Sequence, residues 1–333
     1  MKKIKTLSLI AGAILCGGIL LTGCGGGDNS SNNSFENISN SSNSGNNNNS
    51  LFSKNAILAK PSLENGKKVA NIVLSVLDVG IPRLFMDLVN EMATNNNIPN
   101  KKLVNCPDDG TLSYEIKKKN ENYINVIFTL NNCKIEEDIR DGSVNLIAEN
   151  FDNNTKKYKK YIAKYSTEFK WKTLYNNKEV IIFADSFIEE NVDFNTDSNL
   201  NSNEDIYLDF SKNGILKEDN LSISLRLTDG TKDIGLENSK FHFIKKDDSS
   251  IEFYQSKGRI YIDKNSYVDY NKTVKPFKYS IDAYTLIDGE AHYNMADNSK
   301  MRIVVLGSDN VKVEIDTDGD GEFELNESIN INE

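Results

Sequence analysis

From Cys106 to the C-terminus apolar and polar residues alternate, and a period of two restricts this part of the chain to strands. Leu221, Ile223, Leu225 and Leu227 alternate with Ser222, Ser224 and Arg226, and Ile206, Leu208 and Phe210 obey the same rule. Tyr161, Ala163, Tyr165, Thr167, Phe169 and Trp171 oppose Lys160, Lys164, Glu168, Lys170 and Lys172, which reads as one long strand with an aromatic face and a basic face. Further runs are Val144-Leu146-Ala148, Val180 to Ile188, Phe241-Phe243, Ile260-Ile262, Phe277-Tyr279-Ile281-Ala283, Ala291-Tyr293-Met295, Met301-Ile303-Val305 and Val311-Val313-Ile315. Asp-Gly pairs at Asp109-Gly110, Asp141-Gly142, Asp229-Gly230 and Asp288-Gly289 read as the turns between them. The stretch Asn195 to Glu204 reads as the longest loop or an internal boundary.

One wet face and one apolar face per strand describe an antiparallel sheet. About a dozen strands cannot remain one flat open sheet. The expected fold class is therefore mainly β, a large curled or barrel-like antiparallel meander with two N-terminal helices packed on its concave side. The helices come from residues 51–105, where the apolar period is 3.6. Ser62 caps a stripe of Val69, Ile72, Val73, Val76 and Leu77, Gly80-Ile81-Pro82 breaks it, and Leu84, Phe85, Leu88, Val89 and Met92 form a second stripe.

Residues 1–50 are of another kind. Lys2, Lys3 and Lys5 precede an apolar run from Leu7 to Leu21, too short to span a bilayer, which ends in Leu21-Thr22-Gly23-Cys24. This arrangement resembles the leader and lipobox of bacterial lipoproteins. The resemblance implies a signal peptide over residues 1–23, cleavage before Cys24, and acylation of Cys24. Several acyl chains anchor stably where one would not. Gly25, where an Asp would retain such a protein at the inner membrane, implies outer-membrane sorting in a cell with two membranes, facing the periplasm or the surface. The rest of residues 24–50 is almost wholly Gly, Ser and Asn, a composition that cannot bury enough surface to fold and reads as a tether.

Export bears on the cysteines. Cys16 would leave with the leader and Cys24 would take lipid, so Cys106 and Cys133 remain. They stand almost equidistant from Asn120-Glu121-Asn122, the turn expected between arms Leu112 to Lys118 and Tyr123 to Asn131, so pairing the arms brings the thiols together. An oxidising compartment then favours a disulfide, with a redox-active pair as the rival. The net charge is −10, and loss of the three leader lysines takes it to −13. No basic patch marks a nucleic-acid partner.

The densest chemistry is Asp316-Thr317-Asp318-Gly319-Asp320-Gly321, followed by Glu322, Glu324 and Glu327. Carboxylates at alternate positions with Gly at the sixth suit a tight loop around a hard cation, and Glu327 falls at the twelfth position of the calcium-loop pattern. The candidate ligands are Asp316, Asp318, Asp320, Glu322 and Glu327, with Ca2+ in a structural role. The flanks, Val311 to Ile315 and Glu322 to Leu325, alternate like strands, so the rival reading is a plain Asp-Gly turn facing water. The joined strand and Asp-Gly-rich end are also similar to the tail of uncharacterised β-rich bacterial lipoproteins, which implies no activity.

No nucleophile elbow, zinc helix or phosphate loop is present, and His242 and His292 alternate with core residues and so face solvent. No catalytic residue is assigned. Three readings follow: a non-catalytic binding or display module of the cell envelope, facing an envelope protein, glycan or lipid; a carrier of lipid or another apolar ligand in the concave face, lined by Tyr165, Phe169, Leu225 and the helices; and a hydrolase working through paired carboxylates.

Overall fold

The computed structural model describes residues 51–331, apart from 75, 77–79, 96, 136–137, 174–178, 196–208, 212–213, 229–232, 248 and 284. The leader, Cys24, the tether, Leu77, most of the Asn195–Glu204 stretch, Ile206, Leu208 and Asp229-Gly230 lie outside the described residues.

Two helices form where the 3.6 period predicts them. Helix α1 (Leu63–Leu74) starts at Ser62, whose Oγ accepts the Asn65 N–H at 3.2 Å. Helix α2 (Arg83–Thr94) follows Pro82. At the break between them the Ile81 N–H donates to Glu190 Oε2 at 3.2 Å, so a buried carboxylate from the sheet takes up an amide that the broken helix leaves over. Val69, Ala70 and Val73 of α1 and Phe85, Met86, Val89 and Met92 of α2 are buried.

The remaining elements make one sheet of eighteen strands among the described residues. A two-residue strand β1 (Ile57–Leu58) runs parallel to its neighbour, and the other ladders are antiparallel. The first meander comprises β2 (Lys101–Asn105), β3 (Asp109–Asn120), β4 (Tyr123–Ile135) and β5 (Asp138–Asp152). β5 then pairs with both β6 (Lys157–Tyr165) and β7 (Phe169–Thr173). β6 continues to β9 (Phe187–Asn195), and β7 to β8 (Glu179–Ile182). Both lie against β11 (Gly214–Thr228), beside which β10 (Asp209–Ser211) makes a short pairing. The second meander continues through β12 (Asp233–Asp247), β13 (Ser250–Asp263), β14 (Ser266–Ser280), β15 (Thr285–Asn294), β16 (Lys300–Gly307), β17 (Asn310–Asp316) and β18 (Leu325–Asn330).

The sheet curls partway around the helices. α1 packs on β13, β17 and β18, and α2 on β4 and β6, so each helix serves one arm of the curl. Phe85 and Phe128 stack with ring centroids 4.6 Å apart. A Cβ at Gly66 would stand 2.5 Å from Val313 Cγ1, so α1 reaches β17 only because that position has no side chain. Strands β1 and β2 precede Cys106, so the region expected to be helical also contributes to the sheet.

Three expectations are corrected. Asp141-Gly142 and Asp288-Gly289 are not turns. They lie inside β5 and β15 at slips of the ladder, with φ of +120° at Gly142 and +140° at Gly289. Asp109-Gly110 opens β3 at a similar slip. A positive φ serves a β-bulge as well as a tight turn, and each bulge bends its strand, which is how so long a meander comes to curl. The expected strand from Lys160 to Lys172 is two strands. Between them Thr167 bulges out, its Oγ1 accepting the Ser143 N–H at 3.1 Å, and Thr167 and Glu168 are exposed. Val180 to Ile188 is likewise split into β8 and β9.

The hairpin of β3 and β4 turns at Glu121-Asn122, and its open end is closed by a disulfide between Cys106 and Cys133, whose Cα atoms are 5.5 Å apart. The predicted pairing is the one found.

Candidate metal site

The C-terminal acidic motif folds as a loop between two antiparallel strands. β17 ends at Asp316 and β18 begins at Leu325, with Ile315 opposite Leu325. The intervening residues form a loop, in which Gly319 and Gly321 adopt φ of +83° and +101°. At Gly319 an added Cβ would stand 2.7 Å from the Asn298 carbonyl oxygen, so the loop lies close against the 3-10 turn Ala296–Asn298. On the other side the Arg302 guanidinium covers the Phe323 ring at 4.1 Å while pairing with Glu314.

Backbone amides point at the carboxylates. The side chain of Asp316 is fully buried, its Oδ1 accepting from Gly319 N–H at 2.6 Å and its Oδ2 from Gly321 N–H at 3.1 Å. Asp318 Oδ1 accepts from Asp320 N–H at 3.2 Å, and Asp320 Oδ1 from Glu322 N–H at 2.8 Å. Glu324 reaches back across the loop, where its Oε2 accepts from the N–H of Thr317 at 2.7 Å and from its Oγ1 at 2.9 Å. The Thr317 amide, with help from the hydroxyl, holds the Glu324 carboxyl below the usual carboxylate range.

One oxygen from each of Asp316, Asp318, Asp320 and Glu324 lies within 4.8 Å of the others. Four carboxylates so placed repel one another, and a hard cation that accepts six to eight oxygens would relieve that repulsion. Asp316 is fixed by burial and the other three are exposed, so the group has one rigid ligand and three that adjust.

The candidate set is therefore brought together only in part. Asp316, Asp318 and Asp320 converge; Glu322 and Glu327 stand outside the group of four. Glu327 lies within β18 opposite Val313 and pairs with Lys67 of α1. Glu324 takes part instead. Its signal was in the sequence, because carboxylates at every second position run on through Glu322 to Glu324. The strand-like look of Glu322 to Leu325 hid it.

The remaining candidates fall elsewhere. His242 on β12 stacks on Tyr254 with centroids 4.8 Å apart, and burial lowers its pKa. His292 on β15 has Nε2 2.6 Å from Glu290 Oε1. Tyr165 and Phe169 are buried and meet edge to face at 5.2 Å, and Leu225 is buried too. Burial of the Tyr165 hydroxyl pushes its pKa up to about 12. Comparison of the chain with protein-family models, with curated proteins and with solved structures finds no match.

Proposed function

We propose that this chain is an exported lipoprotein, acylated on Cys24 and held at the cell envelope, whose folded part is a non-catalytic binding or display module. The observation that carries the reading is the apolar core that covers the concave face among the described residues. Helices α1 and α2 occupy the hollow of the sheet, and the largest fully buried side chains include Phe85, Phe128, Phe241, Phe253 and Phe277. A carrier needs that volume for its ligand, whereas a display module needs only outer faces and loop ends held rigid. The Cys106–Cys133 bond supports export, since such a bond persists in oxidising compartments. The partner classes are an envelope protein, a glycan or a lipid.

The anchor is tested in the cell. Cys24→Ser is expected to move the protein from the membrane fraction to the soluble fraction, and the mass of the wild-type N-terminal peptide is expected to show acyl chains on Cys24. A wild-type peptide without acyl mass would end the reading.

The acidic loop has a structural part in it, as a calcium site that locks β17 to β18. Binding to the folded state alone stabilises it by about 2.7 kcal/mol when the ion is at a hundred times its Kd. Calcium is therefore expected to raise the unfolding midpoint and chelator to lower it. Asp316→Asn is expected to abolish that difference, because it removes charge from the one buried ligand. Equal midpoints with calcium and with chelator in the wild type would return the loop to a plain turn. The response also weakens as pH falls through the carboxylate range, since protonated carboxyls do not bind calcium.

A further inference from the structure

Strands β7 and β8 carry a stretch of the concave face that lies beyond the main contacts of the helices, since α1 packs on β13, β17 and β18 and α2 on β4 and β6. In the ladder Arg140 of β5 stands opposite Trp171 of β7, and Trp171 opposite Val180 of β8, so the three form one row across the sheet. In the neighbouring row on the same face, Phe169 of β7 stands opposite Ile182 of β8, and Ile182 opposite Leu227 of β11. Phe169 and Ile182 are buried, whereas Trp171, Val180 and Leu227 are half-buried. With strands about 4.8 Å apart, three of them make an apolar floor roughly 10 Å across, and a guanidinium stands at one side of it.

That guanidinium is under-used. Arg140 is only 7% exposed, yet it donates one hydrogen bond, from Nη2 to Asp138 Oδ2 at 3.3 Å. A guanidinium carries five N–H donors, and the other four have no acceptor among the described residues. Beside it Arg140 Cζ lies 5.8 Å from the Trp171 ring, and Trp171 Nε1 is sealed from solvent and has no acceptor among the described residues either. Buried donors are nearly always paired, so two neighbouring side chains with only donors left over call for an acceptor. A water would accept from them but bring two hydrogens that need acceptors of their own. An ionised carboxylate brings none, offers two oxygens, and matches the planar fork of Nε and Nη1 that Asp138 leaves unused.

We propose that Arg140 and Trp171 bind the carboxylate of a small monocarboxylic acid whose apolar tail lies over Val180, Ile182 and Leu227. The proposal goes beyond the lipoprotein reading and does not depend on acylation of Cys24. It gives the binding module a ligand site apart from the acidic loop, at the disulfide end of β5, where Cys133 is the registered neighbour of Arg140.

Trp171 is the only tryptophan of the chain, so its fluorescence reads the site directly. The test uses the full chain carrying Cys24→Ser. Octanoate below its micellar concentration is expected to change Trp171 emission saturably. Octanol, with the same tail and no carboxylate, and acetate, with the carboxylate and no tail, are expected to bind at least about tenfold more weakly. Asp138→Asn together with Arg140→Gln removes both charges at once, so that neither is left buried alone. In that double variant the octanoate response is expected to fall to the level of octanol while circular dichroism stays that of the wild type. If the double variant fails to fold, the comparison of octanoate with octanol in the Cys24→Ser chain decides alone. Equal responses to octanoate and octanol, no saturable response to octanoate, or an undiminished octanoate response in the folded double variant would overturn the proposal and leave Arg140 and Trp171 served by water.

Discussion

Replacing Phe85 by Ala is expected to lower the stability of the fold by about 3–5 kcal/mol. The side chain is fully buried on α2, and its ring lies 4.6 Å from that of Phe128 on β4, nearly parallel to it. Truncation removes the apolar burial, leaves a cavity beneath a helix that cannot collapse into it, and forfeits the ring contact, itself worth about 0.5–1.5 kcal/mol. The effect reports on more than one residue. A curled sheet has an apolar concave face that must be covered, and here the cover is two short helices joined by a break at Gly80-Ile81-Pro82. If the helices are part of one core, urea will unfold helix and sheet together at a lower midpoint in Phe85→Ala. Leu88→Ala, at a half-buried position on the same helix, is expected to cost less. A Phe85→Ala loss of stability below about 1 kcal/mol, or a separate early loss of helix with the sheet intact, would mean that the helices rest on the core and do not complete it.

The comparison of expectation with structure has a physical pattern. Inward-facing residues such as Leu221, Ile223, Val311, Val313 and Ile315 were legible because a strand puts every second side chain on one face, and burial then demands apolar residues there. Breaks that preserve the phase were not legible. Tyr165 and Phe169 are four residues apart, an even spacing, so the interruption at Ser166-Thr167-Glu168 leaves the pattern intact while ending one strand and starting another. The Asp-Gly pairs were misread because glycine at positive φ satisfies both a turn and a bulge, and only the partner strand decides which. Strand β1 is two residues long, too short to carry any period. At the candidate metal site the ligand spacing was visible, but the choice of Glu324 over Glu327 depends on how far β18 extends. Pairing from Leu325 onward commits Glu327 to the ladder and leaves Glu324 in the loop.

Removing the disulfide, with Cys106→Ala and Cys133→Ala together, is expected to cost about 3–4 kcal/mol, since the bond closes a loop of 27 residues in the unfolded chain. The native state is not expected to change much. β3 and β4 hold ten registered pairs between Asp109 and Asn120, and Cys133 pairs in register with Arg140 of β5 without help from its sulfur. The cost should therefore fall on the equilibrium by relaxing the unfolded chain. The urea dependence should steepen slightly as that chain exposes more surface, while circular dichroism of the folded protein stays the same. Two features sharpen the expectation. The bond sits where the hairpin opens, at the slip between Asp109 and Thr111, so the bridge clamps the ladder at its irregular end. Next to it, the buried pair of Arg140 and Asp138 needs that end of β5 kept dry, with the Arg140 guanidinium 5.8 Å from the Trp171 ring. Fraying in the double variant should therefore show first as a change in Trp171 fluorescence, before the main transition. If the variant matches the wild type in midpoint and in fluorescence, the bridge is dispensable and the hairpin holds itself. If the wild type treated with reductant behaves as the double variant does, the loss belongs to the bond and not to the two side chains.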